Sequence, residues 1–167
     1  MRFVFFSVFF SMLSAVAWAQ DNCDLYDGGI ALCDIPTTWF KNAPSSEEDR
    51  ATYLIDGGTY AILSFGPGAQ SPTAAIELAL AAAARKFNVS VSQIERGNMG
   101  ATNIDGIPAV FVDYLVPVND ARLFYRTTTA WSPNLTLRLT TYGFEDVLAN
   151  NFDQLHEKLV ASTRLLQ

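Results

Sequence analysis

One histidine and two cysteines are all that 167 residues offer of the side chains that most often ligate metals or build nucleophile–base pairs. A zinc site needs several such ligands close together, and no cluster of His, Cys and carboxylates is visible. There is no G-x-S-x-G, no H-E-x-x-H, no phosphate-cradling glycine loop and no dinucleotide fingerprint. Positive charge is scarce as well: 11 Lys and Arg stand against 17 Asp and Glu, a formal charge of -6. That sign disfavours nucleic acid and anionic membrane as partners. A triad could only use His156, whose place between Phe152 and Leu159 in a helical pattern marks it as a helix-surface side chain. The chain is therefore expected not to be an enzyme and to carry no metal and no cofactor.

Long apolar runs are equally few. One follows Met1-Arg2, from Phe3 to Ala17, broken by Ser7, Ser11 and Ser14 and closed by Ala17-Trp18-Ala19. It reads as a secretory signal peptide over residues 1–19, cut after an A-x-A pattern, leaving a single domain over residues 20–167. A membrane anchor needs about twenty apolar residues, and Gln20-Asp21-Asn22 arrives too early; for a lipoprotein, Cys23 comes too late. The expected product is periplasmic or secreted, with no stable membrane insertion after cleavage, and long enough to bury a core.

In such a compartment the two cysteines are expected to pair. Between Cys23 and Cys33 lies Leu25-Tyr26-Asp27-Gly28-Gly29-Ile30-Ala31-Leu32, a hairpin signature. A three-residue loop at Asp27-Gly28-Gly29 pairs Tyr26 with Ile30 and so sets Cys23 opposite Cys33, at a spacing a disulfide spans. Closing that short loop contributes roughly 3 kcal/mol in the chain-entropy model. A redox or metal-binding pair would want C-x-x-C spacing, which is absent.

The remaining order is a second hairpin (Thr52–Ile55, Asp56-Gly57-Gly58, Thr59–Phe65), a helix, a three-stranded meander and a closing helix. Ser71-Pro72 supplies an N-cap and a first-turn proline, and Ile76, Leu80, Ala83 and Phe87 form one helical stripe. Asn88–Gly100 is read as a connection with a short turn near Ser92-Gln93-Ile94. The meander runs Ala109–Val116, Ala121–Trp131 and Leu135–Tyr142. Asn119-Asp120 suits a two-residue loop, since both residues tolerate positive φ, and pairs Asp113 with Arg126. A three-residue loop at Ser132-Pro133-Asn134 pairs Trp131 with Leu135 and Arg126 with Thr140. Phe144, Leu148, Phe152, Leu155 and Leu159 then recur at helical spacing, interrupted near Asn150-Asn151. The fold class is α+β: a mostly antiparallel sheet of two hairpins plus the meander, packed by two helices as an α/β/α sandwich.

Those registers assign faces. Val110, Val112, Tyr114, Val116, Leu123, Tyr125, Trp131, Leu135, Leu137 and Leu139 share an apolar face, expected under the C-terminal helix. Phe111, Asp113, Leu115, Phe124, Arg126, Thr128, Thr136, Arg138, Thr140 and Tyr142 share a mixed one, expected under the Ala-rich helix. Asp113, Arg126, Arg138 and Tyr142 thereby form the candidate binding patch, able to hold a small anion or an acidic segment of a partner. The blander reading of the same set, and the favoured one, is a salt-bridge ladder on a half-covered face. Asp24, Asp27 and Asp34 are at most a weak Ca²⁺ site, and Glu47-Glu48-Asp49 reads as a solvated loop run. Trp39, Phe40 and Tyr60 serve either a protein contact or the core. Asn88-Val89-Ser90 and Asn134-Leu135-Thr136 match the N-glycosylation pattern.

Three stretches carry a resemblance: Gly29-Ile30-Ala31-Leu32-Cys33-Asp34-Ile35-Pro36-Thr37-Thr38-Trp39, a strand–Pro–x–x–Trp opening; Ile104-Asp105-Gly106-Ile107-Pro108-Ala109 before a long strand; and a closing helix from Phe152 to Leu165. Together they resemble the PsbP/Mog1/DcrB-like superfamily of small α/β/α sandwiches. The resemblance implies a non-catalytic domain that binds another protein, as photosystem accessory proteins, GTPase-binding proteins and secretion-system chaperones of this fold do. It brings no catalytic residues, and the disulfide departs from its pattern. The leading expectation is an exported protein-binding module, of accessory-subunit or immunity/chaperone type. The alternative is a periplasmic small-ligand or metal-binding carrier.

Overall fold

The computed structural model describes residues 22–55, 58–148 and 150–166. The signal-peptide stretch and the Asp56-Gly57 turn lie outside the described residues. Strands β1 (Cys23–Tyr26) and β2 (Ile30–Cys33) form the first hairpin in the expected register, with Cys23 opposite Cys33. The two cysteines are disulfide-bonded. This hairpin does not join the main sheet. It is extended by β10 (Thr163–Leu165), which pairs along β2 to make a separate three-stranded sheet.

The main sheet has seven antiparallel strands: β3 (Phe40–Asn42), β4 (Asp49–Leu54), β5 (Tyr60–Pro67), β6 (Glu95–Ile104), β7 (Ile107–Val118), β8 (Ala121–Trp131) and β9 (Leu135–Phe144). Their spatial order is β3-β4-β5-β9-β8-β7-β6. Two helices complete the α+β sandwich, α1 (Pro72–Phe87) and α2 (Phe152–Ser162). Ser71 caps α1 by accepting from the Ala74 amide at 3.1 Å, with Pro72 in the first turn. Asn88 ends it at φ 53°, and Arg85 and Lys86 complement the negative end of its dipole.

The β7–β8 register is as expected, Asp113 facing Arg126 across the Asn119-Asp120 loop. The β8–β9 register is not. Trp131 pairs with Thr136 and Arg126 with Thr141, one residue beyond the expected partners. The cause is the Ser132 hydroxyl, which accepts from the Leu135 amide at 3.1 Å and donates to the Leu135 carbonyl, so that Leu135 belongs to the turn closure. Gly68 packs on the same turn: a Cβ there would stand 1.9 Å from the Pro133 carbonyl oxygen.

Because side chains alternate along a strand, that slip inverts β9. Leu137 and Leu139 join Ala109, Ala130, Leu63, Phe65, Ile30, Leu32 and Leu159 in a core between the main sheet, α2 and the small sheet. Arg138, Thr140 and Tyr142 turn to the other face. There Ala83, Ala84 and Leu80 of α1 pack on Val112, Tyr114, Val116, Leu123 and Tyr125. The helix assignment is thus the reverse of the expected one: the Ala-rich helix covers the Val112–Tyr125 face and the C-terminal helix the face carrying Asp113 and Arg126.

Three strands escaped the sequence reading. Strand β3 is a short edge strand whose three residues are all exposed. Strand β6 takes up Glu95–Gly100 of the segment taken as a connection and runs on to Ile104, yet it is exposed along nearly all its length and bulged between Arg96 and Met99, so it shows no apolar alternation. Strand β10 occupies the end of the stretch expected to be helical. Its Leu165 amide donates to Asp105 at 2.9 Å, and the Leu166 amide donates to the Gly29 carbonyl at 2.7 Å.

Candidate functional site

Each face of the main sheet carries a cavity beside its helix. The one under α1, about 410 Å³, has Tyr114, Tyr125, Thr127, Arg138 and Thr140 in its floor and Ala79, Ala82 and Ala83 in its roof. Its rim is the Ser45–Asp49 segment that leads into β4, facing Arg85 and Lys86 at the end of α1. The small roof residues leave the space open.

Two floor residues, Tyr114 and Tyr125, belong to a ladder of four tyrosines, one from each of β5, β9, β8 and β7. The registers set Tyr60, Tyr142, Tyr125 and Tyr114 side by side. Ring centroids are 5.1, 4.7 and 5.1 Å apart in that order, and the planes lie within 15° of parallel. Burial pushes the phenols of Tyr114 and Tyr142 up to about 12 and raises that of Tyr125 well above its ordinary value, so these three are neutral. The Tyr114 hydroxyl is hydrogen-bonded to Thr127 Oγ1 at 3.0 Å, and Thr127 to Thr140 at 3.0 Å.

Arg138 lies beside this ladder and is 3% exposed. Its Nη2 donates to Glu48 Oε2 and, at 2.9 Å, to the Phe65 carbonyl. Its Nε and Nη1 have no partner among the described residues, and neither has the Tyr125 hydroxyl. A buried donor left unpaired costs about 1–3 kcal/mol, more for a charged group. Room for the guanidinium comes from Gly66 on the neighbouring strand, where a Cβ would fall 3.0 Å from Nη2 and 2.8 Å from Thr136 Oγ1.

The acidic run at the rim is not a solvated loop. Glu48 accepts from both Arg138 and, at 3.0 Å, Arg85. Burial alone would raise its carboxyl; the Arg138 hydrogen bond and the two guanidinium charges outweigh that and hold it below the usual carboxylate value. Asp49 is buried and accepts from Ser45 at 2.7 Å, while Lys86 Nζ donates to the same Ser45 hydroxyl at 2.8 Å and stands 5.2 Å from the Tyr142 ring centroid. Burial lowers the Lys86 ammonium against the opposing pull of Asp49.

On the other face, Asp113 and Arg126 meet as expected. Arg126 Nε and Nη2 donate to the two Asp113 oxygens at 2.7 and 2.8 Å, and Nη1 donates to Asp153 of α2 at 2.7 Å. A second cavity, about 560 Å³, lies alongside, between α2 and the ends of β6 and β7, with Phe111, Arg126, Thr128, His156 and Arg164 in its lining. His156 is not on the helix surface. It is 4% exposed, with Nε2 2.8 Å from Thr128 Oγ1 and Nδ1 3.1 Å from Thr141 Oγ1. Burial first, then the Arg126 charge, lower it to about 3, so the ring is neutral.

The four patch residues are therefore divided by the sheet: Asp113 and Arg126 under α2, Arg138 and Tyr142 under α1. The aromatic set divides too. Trp39 is buried near Tyr53, Phe40 is 66% exposed, and Tyr60 belongs to the ladder. Of the hairpin acids, Asp24 is taken by Lys41 at 2.6 Å and by the Tyr53 hydroxyl at 3.2 Å. Among the described residues no three His, Cys, Asp or Glu side chains gather as a metal site. Lys86 was not singled out by sequence reasoning, and Glu48 was read only as part of a solvated acidic run, not as a site residue. Lys86 could have been, as a basic residue in the turn after the Ala83 stripe; Glu48 could not, because its partner Arg138 is remote in the chain.

No family profile matches the chain, and no curated protein sequence does. Solved structures do resemble it. The cyanobacterial PsbP (CyanoP) of Synechocystis sp. PCC 6803 superposes with a TM-score of 0.58 at 14% identity, covering 92% of this chain and 98% of that one. The Ran-binding protein Mog1p of Saccharomyces cerevisiae gives 0.58 at 9% identity, over 87% of this chain and 96% of its own. LpqN of Mycobacterium tuberculosis, described as involved in cell envelope biogenesis, gives 0.55 at 16%, over 83% of each. The chain has the PsbP/Mog1-like fold, and at these identities the likeness is one of fold.

Proposed function

We propose that this chain is an exported, non-enzymatic binding module, of accessory-subunit or immunity/chaperone type, that engages a partner protein at the cleft under α1. The observation that carries the reading is the buried Arg138 guanidinium, which lines an open cavity and keeps hydrogen-bond donors unpartnered among the described residues. Strong, unused donors at the end of a preformed cleft are what a recognition site requires. The single histidine, neutral and clasped by two threonines, is placed for packing rather than for proton transfer. Fold neighbours point the same way, one being a Ran-binding protein.

Export is supported by the signal-peptide pattern of residues 1–19 and by the disulfide, which persists in oxidising compartments. No described helix is long and apolar enough to cross a membrane. N-terminal sequencing of the exported protein should read from Gln20; a product that keeps Met1 overturns export. For the partner, tagged protein is used to capture binders from the native envelope, and each candidate is purified and titrated back. Saturable one-to-one binding that an Ala82→Trp change, filling the cleft roof, abolishes supports the module. Binding indifferent to that change moves the interface elsewhere. The cavity also favours a second reading, a small-ligand carrier, and ligand-induced thermal stabilisation with no protein partner would select it.

A further inference from the structure

We propose that Arg138 is the recognition residue for a carboxylate supplied by whatever fills the cleft, and that Glu48 is the chain's own occupant of that position. The inference rests on the cleft being the binding site and names the chemistry it selects. A guanidinium carries five N–H donors in a planar fork suited to carboxylates. In Arg138 only Nη2 is engaged, by Glu48 and by the Phe65 carbonyl, while Nε and Nη1 are unpartnered among the described residues. Tyr125, whose buried hydroxyl is also unpartnered among the described residues, lines the same cavity. The satisfied counterpart on the opposite face, Arg126, shows what a fully engaged arginine looks like in this fold.

Charge selects a monoanion. The cations of the cleft, Arg85, Lys86 and Arg138, face Glu47, Glu48 and Asp49. One incoming negative charge is accommodated because Glu48 can leave Arg138 and keep Arg85, its second partner. A phosphate dianion would be repelled by Asp49 and by the displaced Glu48. The side chain of Glu48 is 39% exposed, so its departure needs no unpacking of the core. The neutral tyrosine floor offers flat apolar surface next to the charge, which suits a carboxylate on an aromatic or aliphatic stem.

The test follows the Arg138 Nε–H resonance by NMR in the full mature protein during titration with benzoate, with its neutral isostere benzamide, with inorganic phosphate, and with a capped peptide bearing a single Glu. A saturable shift with benzoate or the peptide, absent with benzamide and phosphate, is the expected result. Glu48→Gln should tighten it by roughly tenfold, since the competing carboxylate is gone. Tyr125→Phe should weaken it without altering the fold, which keeps the test decisive even where Arg138→Gln does not fold. Response to benzoate alone assigns a small ligand, and response to the peptide alone assigns an acidic side chain of a protein; both uphold the carboxylate site. No shift with either in both wild type and Glu48→Gln, or equal binding of phosphate, overturns it. A captured protein partner unaffected by Glu48→Gln would likewise overturn this inference while leaving the binding module standing.

Discussion

Two arginines sit on opposite faces of adjacent strands, Arg126 of β8 and Arg138 of β9, and they have been finished differently. Arg126 has all three nitrogens engaged, two on Asp113 in a bidentate pair and one on Asp153. Arg138 is the more deeply buried, its side chain 4% exposed against 19%, yet two of its nitrogens lack partners among the described residues. Burying a guanidinium without full pairing costs several kcal/mol. That difference is the ground on which binding is proposed for the α1 face rather than for the α2 face.

The largest effect should come from the satisfied pair. Arg126→Met keeps the volume but strands Asp113, which is 3% exposed, and should destabilise the fold by about 3–5 kcal/mol in urea unfolding. A loss below about 1 kcal/mol would mean that Arg126 is no pillar, and the contrast with Arg138 would break.

Next is the acid response of the α2 face. His156 is lowered from 6.5 to about 3 in the folded chain. Below about pH 6.5 the unfolded chain takes up a proton that the folded one refuses until near pH 3, so stability falls as pH falls. Where carboxylates are still silent, between roughly pH 6 and pH 5, the slope should approach 1.4 kcal/mol per pH unit. His156→Gln should flatten it. An unchanged slope in that variant would show that His156 is protonated in the fold and is not closed off as described.

The smallest effect sharpens the comparison from the other side. Glu48→Gln retains a carbonyl for Arg138 Nη2 and should cost only about 1 kcal/mol of stability, far less than Arg126→Met. A loss as large as that of Arg126→Met would make Glu48–Arg138 a second structural pair.

How much of this was legible depended on turns. Where the turn chemistry was complete in the sequence, as at Asp27-Gly28-Gly29, Asn119-Asp120 and Ser71-Pro72, registers and caps came out as observed. At Ser132-Pro133-Asn134 the proline and asparagine were read but the serine hydroxyl was not, and one residue of slip moved Arg138 and Tyr142 to the other face. The tyrosine ladder became visible only with that correction. His156 was within reach: Phe152, His156 and Leu159 follow one helical stripe, and its phase placed the ring inward. Strand β6 offered no such signal, since its pairing with β7 owes nothing to a buried side-chain pattern.

The pairing of β10 along β2 has a consequence for the order of assembly. The Cys23–Cys33 hairpin is local and can close early, but β2 presents Ile30, Ala31 and Leu32, all buried in the finished fold, along an edge that residues 163–165 pair with. Until they dock, that edge is an open template for another chain. Non-local closure of this kind is slow, because the intervening loop must be ordered first. The hairpin that the disulfide closes therefore stays exposed to aggregation until the C-terminus docks, and shortening the chain before Thr163 would leave it so permanently.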